Sequence, residues 1–462
     1  MIKFKNNKAP EITNTKEQLS VLNTTNNCVL VDAVPGSGKS TLLRQIAYNN
    51  PECKILYLAY NKAIIESIKL GVPDNCDVST FHAFGLKVLR DNGKTGKVNF
   101  NKHRNIDGTY GVADLVAKHM LLAGGASDEQ WKKTCDVFHI PLSLIKKAKT
   151  VFDIALDRED ISAEDMISMP MTSGCNFPSY DIVLIDEYQD MSMDKILLCS
   201  QIKTERIFFV GDVKQKINQY AGSSATIEKD LMKIYPTLEV LNIMESFRCP
   251  EQVLNVAKEY VPSIGGSKQG GKVTYGAPDK YPDESLIICR TNAPLLRVAT
   301  KFIKENKRFR IKPSVITSIN KETNYLLKST NSLTDAKYEC DAKQSEEIKR
   351  FTINGWNPTI ALYKYDAVRE VLNSGRNKEE VQRMMRLLKD RCDMNGGHLL
   401  STAHSSKGLE NENVFILDIN QCKNIANKSN QTWAKESETN CEYVMTTRSL
   451  ENLTFITSND IK

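Results

Sequence analysis

The sequence predicts an α/β protein with two parallel-sheet layers, and three features carry that reading. Short apolar runs rich in β-branched residues alternate with helical patterns, as expected for parallel strands covered on both faces. The runs fall into two sets, residues 28–32, 55–59, 182–185 and 207–210, then 285–289, 398–401, 413–417 and 453–456. Two runs of the first set end in turns rich in chemistry, a Gly-rich loop after the first and an acidic run after the third.

Taken in order along 462 residues, about two to four domains are expected. Residues 1–90 begin the first α/β domain and 180–240 complete it. Between them, 91–179 reads as a helical insertion, with patterns such as Val112-Ala-Asp-Leu-Val-Ala-Lys-His-Met-Leu-Leu122. Residues 241–320 and 398–462 make the second domain, and 321–397 is a short polar insertion, Lys/Glu-rich, with a helix predicted over Lys378–Arg391. Gly265 to Gly271 reads as a flexible loop.

Composition narrows the function classes. A net charge of +6 permits a polyanionic partner without demanding one. The 12 cysteines contain no Cys-x-x-Cys pair, and the closest two are Cys422 and Cys441. That argues against a zinc ribbon, an iron–sulfur motif or a disulfide framework, and suits reduced thiols in a cytoplasm. No apolar run approaches the ~18 residues of a membrane helix. The opening Met1-Ile-Lys-Phe-Lys-Asn-Asn-Lys8 lacks the apolar core of a signal peptide. The expected location is a cytoplasm, with no membrane partner.

Ala33-Val-Pro-Gly-Ser-Gly-Lys-Ser40 follows a strand and precedes the apolar run from Leu42 to Ala47, the strand–loop–helix setting of a phosphate loop. Gly36 and Gly38 let backbone N–H groups turn inward around phosphate oxygens, and the helix N-terminus adds its dipole. Lys39 is expected to reach the β- and γ-phosphates and Ser40 to ligate Mg²⁺. Ala33 stands where such loops usually begin with Gly. Pro35, Ser37 and Thr41 complete the candidate nucleotide-binding stretch.

Asp186-Glu-Tyr-Gln-Asp190 comes directly after a strand, where carboxylates emerge at the carboxyl edge of a sheet. Asp186 is the natural Mg²⁺ partner, and Glu187 is placed to orient or deprotonate an attacking water.

With these two sites in hand, the ordered motifs of the chain resemble the superfamily 1 helicases of the UvrD/Rep kind. Thr15-Lys-Glu-Gln18 looks like the adenine-reading Q motif, Tyr60-Asn-Lys-Ala63 like motif Ia and Ser79-Thr-Phe-His-Ala83 like motif Ib. Asp186 to Asp190 matches motif II, Gly211-Asp-Val-Lys-Gln215 through Tyr220 and Gly222 motif III, and Ser246-Phe-Arg-Cys-Pro250 motif IV. Thr402-Ala-His-Ser-Ser-Lys-Gly-Leu-Glu410 matches motif V, and Glu438-Thr-Asn with Tyr443-Val-Met-Thr-Thr-Arg448 motif VI. The compact length is in keeping with a phage or mobile-element enzyme.

The resemblance implies two RecA-like P-loop domains, each carrying an inserted subdomain, with ATP bound between them. It gives Gln18 to the adenine edge, Phe247 to stacking on the adenine, Gln215 to sensing the γ-phosphate and Glu410 to the ribose, with Lys407 and Gly408 at the same cleft. Arg248 and Arg448 look like arginine fingers, groups able to supply ~10³–10⁵ in rate. Tyr60, Asn61, Thr80, Phe81, His82 and Tyr220 would form a single-strand track on which aromatic faces grip any base. His404 would join it, although it reads equally as a structural histidine. Two departures stand out: Ala221 where the family usually has Arg, and Asn218 where it has Tyr.

The function implied is an ATP-dependent DNA helicase, Mg²⁺-assisted, moving 3′→5′ on single-stranded DNA and opening single/double-strand junctions. Its alternatives are a 5′→3′ helicase of the RecD-like branch and a nucleotide-gated single-strand binder with weak hydrolysis. The sequence names no protein partner.

Overall fold

The computed structural model describes residues 13–460, apart from 61, 109, 139, 219–222, 225, 279–280, 354–357, 392–395 and 429–431. The chain packs as two units that meet in sequence between Glu245 and Ser246. The break expected at 240 lies inside a strand, Glu239–Ile243.

The first unit holds six strands: β1 Cys28–Ala33, β2 Ile55–Ala59, β3 Cys76–Thr80, β4 Ser179–Asp186, β5 Lys203–Gly211 and β6 Glu239–Ile243. They form one parallel sheet in the order β3-β2-β4-β5-β1-β6. Side chains alternate faces along each strand, and both faces are buried. Val29, Val31, Ile182, Leu184, Phe208 and Val210 pack in one core. Leu30, Val183, Ile185, Ile207 and Phe209 pack in the other. Because β4, β5 and β1 are neighbours and parallel, their carboxyl ends open at one edge, where ligands of such sheets bind.

Five helices, from Lys102–Asp107 to Ala163–Thr172, lie in sequence before β4. Part of this segment has its own core, built from Val112, Leu115, Val116, Trp131, Cys135, Ala148 and Val151. His119 belongs to that core. It stacks on Trp131 at 3.7 Å and bonds Thr134 at 2.8 Å and Gly125 at 2.9 Å through its two ring nitrogens. Helix Ala163–Thr172 packs on helix Phe81–Asp91 through a very close approach at Gly85, where an added Cβ would lie 1.8 Å from the Met166 carbonyl oxygen.

The second unit repeats the theme with β7 Lys272–Tyr275, β8 Leu286–Cys289, β9 Phe309–Ile311, β10 His398–Thr402, β11 Asn411–Leu417 and β12 Ser449–Ile456. Its parallel order is β7-β12-β11-β8-β10-β9. The two sheets are those of paired RecA-like domains. Between β9 and β10 come four helices, Pro313–Ser329, Leu333–Ile353, Thr359–Leu372 and Lys378–Arg391. Residue 321, the expected start of the insertion, lies within the first of them. The apolar faces of these helices do not close on themselves. Ile316, Leu326, Tyr365, Val368 and Leu388 share one core with Ile287, Phe302, Phe309 and Phe415 of the sheet layer. This insertion therefore roofs a sheet face.

All described cysteines are free, and no group of His, Cys, Asp and Glu among the described residues could hold a metal by itself. No described helix is long and apolar enough to cross a membrane.

Candidate functional site

The phosphate loop leaves the carboxyl end of β1 and enters helix Lys39–Tyr48. Gly36 and Gly38 have φ of 74° and 82°, the left-handed region that a Cβ disfavours, and Gly38 caps the helix. Lys39 Nζ donates to the carbonyls of Ala33 at 2.8 Å and Val34 at 3.1 Å, so the lysine folds over its own loop. Ser40 is exposed in the first helical turn. Gln18 reaches the loop from helix Lys16–Asn23, whose start is a capping box with Thr15. Its Nε2 donates to Ser37 O at 2.9 Å, and its Oε1 accepts from Thr15 N at 3.0 Å.

Asp186 ends β4 at 4% exposure. Tyr57 donates its hydroxyl to Asp186 Oδ2 at 2.7 Å, and Glu187 N donates to Oδ1 at 3.0 Å. Burial, then the neighbouring Glu187, pushes the Asp186 carboxyl up to about 6. Glu187 has φ of 57°, a left-handed turn unusual for a side-chain-bearing residue.

A chain of side-chain bonds runs from that turn to β5. Gln189 donates to Glu187 Oε2 and accepts from Asp212 N at 3.0 Å through Oε1. Gln215 Nε2 donates to Asp212 Oδ2 at 2.8 Å. Gly211 makes room for it, since a Cβ there would lie 2.1 Å from Gln189 Oε1. Asp32 ties in β1 by accepting from Val213 N at 3.0 Å and from the Tyr188 hydroxyl at 3.4 Å. Burial raises the carboxyls of Asp32 and Asp212, the latter to about 6.

The expected residues Lys39, Asp186, Glu187 and Gln215 thus gather at one sheet edge. Tyr57, Gln189, Asp212 and Asp32 were not singled out. Tyr57 did leave a signal: a lone hydroxyl in the apolar strand Ile55-Leu-Tyr-Leu-Ala59 must find a partner when buried. The donor set suits a hard divalent cation. Ser40 and Asp186 would supply oxygen ligands, and two adjacent carboxylates, one deeply buried, favour positive charge nearby.

On the strand track, Thr80 caps helix Phe81–Asp91 by accepting from Ala83 N at 3.2 Å. Phe81 is 1% exposed in the sheet core, so its ring presents no face to a base. His82 is half-buried, and desolvation followed by the charge of Lys195 lowers its imidazole to about 4. Tyr60 is exposed. Asn61, Tyr220 and Ala221 lie outside the described residues.

In the second unit, Arg248 Nε lies 2.8 Å from Glu410 Oε2, a charge contact without good hydrogen-bond direction. Phe247 is exposed at 45%. Arg448 is 1% exposed, and its guanidinium donates to Val444 O at 2.9 Å, Leu409 O at 3.4 Å and Thr447 Oγ1 at 3.2 Å. Those bonds fasten the turn after β10 to the end of helix Thr432–Thr446. His404 and Lys407 sit half-buried in that turn, and Gly408 takes φ of 85°. Glu438 is held by a bidentate pair with Arg290, at 2.7 and 2.6 Å.

Residues 17–221 match the AAA domain family AAA_19. F-box DNA helicase protein 1 of Schizosaccharomyces pombe is 26% identical over 451 residues, covering 84% of this chain and 50% of that protein. ATP-dependent DNA helicase PcrA of Bacillus subtilis is 26% identical over 298 residues, covering 54% of this chain and 40% of its own length. ATP-dependent DNA helicase Rep of Buchnera aphidicola is 23% identical over 270 residues, covering 50% and 40%. The chain spans half or less of each of these relatives.

Proposed function

We propose that this chain, which is similar to superfamily 1 DNA helicases of the UvrD/Rep kind, is an ATP-dependent DNA helicase translocating 3′→5′ along single-stranded DNA. The observation that supports this most is the bonded series Glu187–Gln189–Asp212–Gln215, which ties the candidate water-activating carboxylate to the candidate γ-phosphate sensor. A change at the nucleotide's last phosphate would then be shared between Glu187 and Gln215.

Within the first unit, Lys39 leaves its two carbonyls for the β- and γ-phosphates. Ser40 and Asp186 would hold Mg²⁺, which would supply positive charge to the phosphoryl oxygens. Glu187 accepts a proton from the attacking water, held in place by Gln189. In the second unit, Phe247, Arg248 and Glu410 are the candidate nucleotide-binding residues. Residues 91–179 act as the first inserted subdomain and the helices before β10 as the second. The substrate is a single strand or a single/double-strand junction, in a cytoplasm.

A second reading, a nucleotide-gated strand binder with weak hydrolysis, draws on one observation. The Arg448 guanidinium is already engaged by carbonyls and a hydroxyl of its own unit. ATPase measured with and without single-stranded DNA separates the two, since the motor reading requires stimulation by DNA. Strand displacement on 3′- and 5′-tailed duplexes then decides polarity, and opening of only the 5′-tailed substrate would sink the stated direction.

A further inference from the structure

Immediately after the acidic turn, helix Met193–Ser200 carries a lysine that no step above uses. Lys195 is 5% exposed, an unusual place for an ammonium group. Its Nζ donates to Ser192 Oγ at 2.8 Å, and Ser192 in turn donates to Asp194. Asp194 is buried at 1% exposure and also accepts from Lys195 N at 2.8 Å. Asp194 Oδ2 has no hydrogen-bond partner among the described residues; burial raises this carboxyl, and the Lys195 charge is the largest influence opposing that rise. The same ammonium lies 5.6 Å from the centre of the Tyr60 ring, within cation–π range. Its charge, after desolvation, also lowers the His82 imidazole. One buried cation thus touches, or acts on, two residues of the candidate strand track.

We propose that Lys195 is a positioning residue of the strand track: its buried ammonium lies against the ring of Tyr60 and fixes the orientation in which that partly exposed ring meets a base. The inference rests on the reading of Tyr60 as a strand contact. Lys195 is too buried to be a phosphate-binding surface lysine. Its charge is spent inward, on Asp194 and the ring, and a π-face held by a cation is fixed in orientation before the strand arrives. A pre-oriented platform binds more tightly because less freedom is lost on binding.

The test is the affinity of the full chain for a fluorescent oligothymidylate, without nucleotide, as a function of salt. Removing the lysine alone strands Asp194, so the informative variant is the charge-balanced Asp194→Asn/Lys195→Met. It should bind about 2- to 30-fold more weakly, the range of one cation–π contact. Lys195→Arg, which keeps a cation under the ring, should bind within about 2-fold of the unaltered chain. In a Tyr60→Ala background the charge-balanced change should cause no further loss, because the lysine acts through that ring. The salt slope should stay unchanged. A slope lower by about 0.7, with losses that add to those of Tyr60→Ala, would mean a direct phosphate contact and would overturn the proposal. Unaltered affinity in the charge-balanced variant, when Tyr60→Ala does weaken binding, removes Lys195 alone. If Tyr60→Ala binds normally, the strand-track reading of Tyr60 has failed, and the docking role falls with it.

Discussion

The Tyr57 hydroxyl donates to Asp186 Oδ2 at 2.7 Å, between two residues of the paired strands β2 and β4. Tyr57 is fully buried, and desolvation raises its phenol well above the ordinary range, so it stays a donor at every working pH. It fixes the carboxylate expected to hold Mg²⁺ and partly offsets the burial that pushes Asp186 up to about 6.

Tyr57→Phe keeps the ring and deletes that donor. The half-saturating Mg²⁺ concentration for ATPase should rise about 2- to 13-fold, the value of one hydrogen bond of ~0.5–1.5 kcal/mol. A Mg²⁺ titration of phosphate release checks it. An unmoved midpoint in a folded variant would separate Tyr57 from the metal site.

Glu187→Gln keeps an oxygen able to accept from Gln189 but removes the base. Hydrolysis should fall about 10²–10⁴-fold while nucleotide still binds. Equilibrium binding of a fluorescent ATP analogue beside single-turnover hydrolysis measures both. If binding and hydrolysis vanish together, Glu187 has been given the wrong role.

Asp212→Asn should stabilise the protein at neutral pH. The folded-state carboxyl is raised from 3.8 to about 6, so the folded chain binds more protons than the unfolded one between those values. Stability contributed by this group is therefore lost as pH rises through that window, at ~1.4 kcal/mol per unit. Asn carries no charge to desolvate, and Gln215 can turn its amide to meet the new NH₂. A gain of about 1–2 kcal/mol at pH 7.5, shrinking to nothing near pH 4, is expected, together with slower ATPase. Urea unfolding at the two pH values checks the sign; a gain that grows on acidification would contradict it.

Gly85→Ala should be among the most damaging single-methyl changes in the first unit. The new Cβ would meet the Met166 carbonyl oxygen at 1.8 Å, and neither backbone can yield without parting the two helices. A loss of about 1–3 kcal/mol or more is expected, read as a fall in melting temperature. Wild-type stability would show that helix Ala163–Thr172 shifts freely.

The sheets and the candidate phosphate loop were legible because their signals are local. A phosphate loop is a contiguous word, and β1, β4 and β5 are apolar runs. Four strands escaped notice for physical reasons. β3 reads Cys-Asp-Val-Ser-Thr and β6 is half polar, because each has one uncovered edge. β7 is a largely solvent-facing edge, and β9 is only three residues long. Direction of side chains was beyond reach. Nothing in the residue string says that the Phe81 ring turns into the core, or that Arg448 bonds back to Val444 and Leu409. Gln189 escaped for a related reason. It sits inside a recognised motif, but its partner Asp212 is brought beside it only by the pairing of β4 with β5.

Both ends of the Gln18 amide bond inside the chain, one to Thr15 and one to Ser37 of the phosphate loop. One Nε2 hydrogen and one Oε1 lone pair remain, so a purine with the matching edge can be read while the amide still holds the loop. Base identity then becomes a question of timing. The right base meets the amide as it stands and leaves the loop taut, whereas a base with the wrong edge must turn the amide and so detach it from Ser37. Discrimination between ATP and GTP should accordingly surface in turnover more than in occupancy, so that a mismatched nucleotide sits in the site and idles there.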